Sequence, residues 1–82
     1  MTIAELILLN KERYTKVFLI ENDKKTNQAI FREIKENTIT ENELEQKAKD
    51  YFMLDKEGID EIFGNSEELQ ITDEDMVLLI GI

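Results

Sequence analysis

Carboxylates make up nearly the whole chemical inventory of this chain. It carries 19 Asp and Glu against 10 Lys and Arg, with no His and no Cys, and Ser66 is its only serine. Without His, the usual general base near neutral pH and the commonest transition-metal ligand are both missing. Without Cys there is no thiol nucleophile, zinc ribbon or disulfide framework. Ser66 stands in Asn65-Ser66-Glu67-Glu68 with no imidazole to activate it, so it reads as a loop or cap serine. Gly58, Gly64 and Gly81 are isolated and form no Gly-rich phosphate loop.

Paired carboxylates can serve glycoside hydrolysis or hold two metal ions. Either use needs a cleft walled by other elements, and 82 residues leave little material to build one. A calcium loop fails on spacing. Counted from Asp55, Gly58 falls at position 4, Ile59 at position 5 and Ser66 at position 12, whereas an EF-hand needs an oxygen ligand at position 5, Gly at 6 and Glu at 12. Acyl carrier proteins are similar in size and acidity, but their modified serine lies in an Asp-Ser-Leu context that Asn65-Ser66-Glu67 does not match. The expectation is a non-enzyme with no catalytic residue, metal or cofactor.

The carboxylates are unevenly placed. Residues 1–40 hold seven bases and six acids, while residues 41–82 hold three bases and thirteen acids, so a half of net +1 is joined to one of net −10. A total of −9 argues against direct binding to nucleic acid or anionic membrane, which needs surplus cations. A one-signed half instead suits a basic protein as partner, one whose nucleic-acid-binding surface the acids can occupy. The expected contact residues are Glu57, Asp60, Glu61, Glu67, Glu68, Asp73, Glu74 and Asp75. In size and composition the chain resembles small acidic inhibitors of phages and other mobile elements, anti-restriction and anti-CRISPR proteins among them. That likeness is of type, with no shared motif, and implies a DNA-mimic-like inhibitor or regulator. The alternative is an antitoxin, immunity or adaptor protein. It would bind through an apolar edge strand at Met76–Ile82, by Val77 and Leu79, with charge serving only solubility. A second copy of the chain is a further candidate partner.

Such residues need a fold to hold them. The length gives one small acidic domain over residues 1–82. Glu5–Leu9 and Tyr14–Ile20 read as a β-hairpin, with a rival reading of one long helix opened by a Thr2/Glu5 capping box. Asn22–Lys25 is a turn, and Thr26 caps a helix carrying Ile30, Phe31 and Ile34 and ending near Asn37. Thr40 and Glu43 form a capping box before Leu44, Ala48, Tyr51 and Phe52, whose spacing reads as the core stripe of a helix. Asp55 opens a helix with Ile59, Ile62 and Phe63 that Gly64 closes. Leu69–Thr72 and Met76–Ile82 read as strands.

The expected fold is therefore α+β, ordered ββ-ααα-ββ. It has a small antiparallel sheet covered on one face by two or three short helices, with an all-α bundle as the alternative. Met76 to Ile80 is the longest apolar run, far below the roughly 20 residues of a membrane span. The N-terminus carries Glu5 and lacks a basic leader region, so cytoplasm is the expected location.

Overall fold

The computed structural model describes residues 1–35 and 38–82. Helix α1 spans Ile3–Leu9, β1 Lys16–Asp23, β2 Gln28–Glu33, α2 Glu41–Glu45, β3 Asp50–Asp55, α3 Lys56–Ile62 and β4 Met76–Gly81. The strands form one sheet in the order β2-β1-β4-β3, with β1 and β4 parallel and the other neighbours antiparallel. The α+β class holds and the all-α alternative does not. The element order and the purely antiparallel sheet are corrected.

Coverage differs too, because both sheet faces are packed. On one face Val17, Leu19, Leu78 and Ile80 meet Ile3 and Leu6 of α1, with Leu44 of α2 against them. On the other, Phe18, Val77 and Leu79 meet Ile59 of α3 and Ile71. β4 is thus buried on both sides, which explains its unbroken apolar run. It is an inner strand. The apolar edge expected at Met76–Ile82 is not one, with Val77 at 0% and Leu79 at 1% exposure.

The expected N-terminal hairpin is half right. Thr2 Oγ1 accepts from Glu5 N at 3.2 Å while Thr2 N donates to Glu5 Oε1 at 3.0 Å, so the capping box opens a helix over the first run. That helix stops at Asn10, whose buried side chain donates to Leu6 O at 2.8 Å, and only the second run is a strand. The helix expected after Thr26 is instead β2, which pairs with β1 from Phe18↔Glu33 to Asp23↔Gln28. Its expected end at Asn37 lies outside the described residues. Leu69–Thr72 forms no strand.

Candidate functional site: an acidic layer over one sheet face

α3 begins where β3 ends, because Asp55 caps it by accepting from Gly58 N at 2.8 Å. It ends at Gly64, whose φ of +67° turns the chain out of the helix. Between these stops Ile59 is the side chain α3 buries, against Phe18, Val77 and Leu79. Glu57, Asp60 and Glu61 are left exposed. The segment from Ser66 to Asp75 returns over the same sheet face, held by Ile71. It places Asp73 beside Lys56, Glu57, Asp60 and Glu61 around an open cleft of about 470 Å³. Exposed Glu67, Glu68 and Glu74 lie on the same returning segment.

All eight expected contact residues therefore belong to one layer, but they do not share one role. Asp60 Oδ1 accepts from Ser66 N at 3.1 Å. The Ser66 hydroxyl, then that N–H, hold its carboxyl below the usual range. Asp75 is more fully used. Its carboxylate accepts from Thr72 N at 2.8 Å and from the Thr15 hydroxyl at 2.8 Å, and Lys16 Nζ lies at 3.3 Å. Led by the Thr72 N–H, these contacts lower it to about 2. Asp75 is a latch between the segment and β1, its carboxylate engaged within the fold. Lys56 reaches Asp73 only at 4.0 Å, and the Asp73 side chain stays 94% exposed. A pair so placed contributes about 0–1 kcal/mol, and Asp73 counts as free. Among the described residues Glu57, Glu61, Glu67, Glu68 and Glu74 make no side-chain hydrogen bond or ion pair and Asp73 makes only the long one to Lys56, which is the one cation beyond residue 55.

Ser66 is buried and accepts at its carbonyl from Ile71 N at 2.8 Å, which makes it an anchor of the segment. Among the described residues no group of three or more carboxylates is arranged to hold a metal ion. No described helix is long and apolar enough to cross a membrane.

One part of this face was hidden in the sequence. Tyr51 and Phe52, read as core of a helix, lie on the outer strand β3, and both are about half exposed. Phe52 pairs with Leu79 in register and so faces the α3 side. With Ile20, Phe63 and Leu79 it lines a groove of about 430 Å³ beyond the end of α3. The short continuous apolar run Tyr51-Phe52-Met53-Leu54, bounded by Asp50 and Asp55, was the available signal for a strand.

Compared with protein-family models, curated proteins and solved structures, the chain matches none.

Proposed function

We propose that this chain is a non-enzymatic inhibitor or regulator that covers a basic, nucleic-acid-binding surface of a partner protein with its acidic layer. The observation that carries this reading is that α3 and the segment from Ser66 to Asp75, which carry Glu57, Glu61, Glu67, Glu68, Asp73 and Glu74, pack over the same sheet face through Ile59 and Ile71, with Lys56 the one cation of residues 56–75. Arg and Lys of a partner would gain charge-assisted hydrogen bonds there, and the field would speed encounter. Magnitude limits the mimicry. A 30 Å length of duplex, matching the intermediate dimension of the molecule, carries about 18 phosphates. Six carboxylates replace roughly a third of these, enough to occupy one basic groove rather than a whole duplex footprint. Phage-type anti-CRISPR and anti-restriction inhibitors work within this size and charge, and cytoplasm is where such a partner would be met.

The test is capture from a nuclease-treated bacterial lysate, followed by competition of the captured protein against labelled duplex DNA. Affinity should fall steeply between 50 mM and 500 mM salt. The paired changes Glu57→Lys with Glu61→Lys, and Glu67→Lys with Glu68→Lys, should each weaken binding and DNA displacement. Affinity that is indifferent to salt and to these reversals would sink the proposal.

A further inference from the structure

We infer that the outer edge of β3 is a dimer interface, where two copies of this chain pair antiparallel about a dyad at Phe52. The inference is independent of the acidic-layer reading and goes beyond it. The sheet has two edges, and they differ. On β2, Arg32 and Glu33 lie within the strand and Arg32 is bound by Glu43 of α2, charged features that keep a sheet edge from pairing. β3 has no charge between Asp50 and Asp55, and Tyr51 and Phe52 are each about half exposed. Thr2 bridges Lys47 ahead of the strand. Among the described residues no segment pairs with Asp50–Asp55 on the side away from β4.

Backbone direction and charge order together decide the occupant. Thr15 N donates to Met76 O and Ile82 N to Ile20 O, whereas Lys49 N donates to Gly81 O. Backbone groups alternate in direction along a strand, so even-numbered residues of β4 turn towards β1 and odd-numbered ones towards β3. Through the register Val77↔Leu54, Leu79↔Phe52 and Gly81↔Asp50, Leu54, Phe52 and Asp50 direct their backbone groups to β4. Tyr51, Met53 and Asp55 direct theirs outward, where another strand can satisfy them.

The flanking charges read Lys49-Asp50 at one end and Asp55-Lys56 at the other. They cancel, so they attract no strongly charged peptide, but they complement themselves. Self-pairing must join outward residues to outward residues, which forbids the register that sets Asp50 against Asp55 and Lys49 against Lys56. In the register centred on Phe52, exposed Lys49 of each copy meets exposed Asp55 of the other. Tyr51 then lies beside Met53 of the second copy, a favourable sulfur–aromatic contact. The two Phe52 rings meet at a non-hydrogen-bonded position, where opposed side chains approach most closely. Centring on Met53 would set Tyr51 against Asp55 instead.

The chain has no Cys, so a single introduced thiol reports the register. Phe52→Cys should give a disulfide-linked dimer under mild oxidation, because the dyad brings its two Cα atoms to about 4.5 Å, within disulfide reach. Ile30→Cys, equally exposed on the β2 edge, should stay unlinked. Sedimentation equilibrium of the intact protein at about 0.15 M salt, which screens repulsion between two acidic chains, should show monomer and dimer in exchange. Phe52→Lys should weaken that association at least about tenfold, with circular dichroism checking that the variant is folded. Lys49→Glu should weaken it as well, and adding Asp55→Asn, which keeps a capping side chain for α3, should recover most of the loss. A monomer at every concentration up to about 0.5 mM overturns the inference. So does a dimer that Phe52→Lys leaves intact, or one that Ile30→Cys links and Phe52→Cys does not. None of these results touches the acidic-layer reading, whose own test is capture and DNA displacement.

Discussion

Ile59 is the side chain α3 buries, at 0% exposure, whereas Ile62 one turn later is 61% exposed. Changing each to Ala removes the same atoms from the same helix, so the pair isolates docking from composition. At Ile59 the lost transfer free energy and the residual cavity together cost about 2–5 kcal/mol. At Ile62 the cost is about 0.5 kcal/mol or less. At 0.05–0.15 kcal/mol per residue, 82 residues hold about 4–12 kcal/mol in total, so Ile59→Ala removes a large share of it. In thermal melts followed by circular dichroism, 1 kcal/mol moves Tm by about 4–8 °C for a domain of this size. Ile59→Ala should therefore melt at least about 8 °C below wild type, and Ile62→Ala within about 4 °C of it. Equal shifts for the two variants would refute the docking of α3 against Phe18, Val77 and Leu79, and with it the rigidity of the acidic layer.

Two further perturbations test the fastenings of that layer. Asp75 is held at about 2, below its ordinary 3.8, so its stabilisation is complete above the ordinary value and fades as pH falls through 3.8 towards 2. Asp75→Asn should accordingly lower Tm at pH 7, with the gap to wild type narrowing towards pH 2; a gap that stays constant over that range would contradict the latch. Gly64 has φ +67°, and the nearest atom to a Cβ there is Asp60 O at 3.8 Å, so the cost of Gly64→Ala is conformational, about 1–2 kcal/mol. Gly64→Asn should cost less in urea denaturation, and equal midpoints for the two variants would count against a left-handed helix stop.

Apart from the Thr26 cap, local signals were readable where the chain interacts with itself over a few residues. Both capping boxes, the Asp55 cap, the Gly64 stop and the apolar run of β4 lie in the structure where their residue types placed them. What misled was distant pairing. The stripe Leu44, Ala48, Tyr51 and Phe52 has helical spacing, yet α2 ends at Glu45 because the chain at Gln46 turns extended. There Ile3 N donates to Gln46 O at 2.9 Å and Ala48 N donates to Met1 O at 3.0 Å, contacts made across more than 40 residues. β3 then pairs with β4, which supplies hydrogen bonds that the helix would have made internally. In the same way β2 exists because β1 lies beside it, and no local pattern over Gln28–Glu33 announces that neighbour. For the candidate site, charge asymmetry pointed to residues that the fold carries on α3 and on the segment from Ser66 to Asp75. It could not separate Asp60 and Asp75 from the rest, since their partners Ser66, Thr15 and Lys16 are joined to them only by the fold.

That separation shapes how such a layer can work. Eight like charges on two short segments repel one another, and a loose segment would spread to relieve them. Asp60 ties the start of the returning segment to α3 through Ser66. Asp75 ties its end to β1 through Thr15 and Lys16. Two carboxylates thereby restrain the segment that carries Glu67, Glu68, Asp73 and Glu74, and a restrained array loses less freedom on binding. The two classes then respond differently to mutation. Reversing a free acid should change affinity at nearly constant Tm, whereas neutralising Asp60 or Asp75 should lower Tm and weaken binding through the loosened segment, although neither carboxylate need touch the partner.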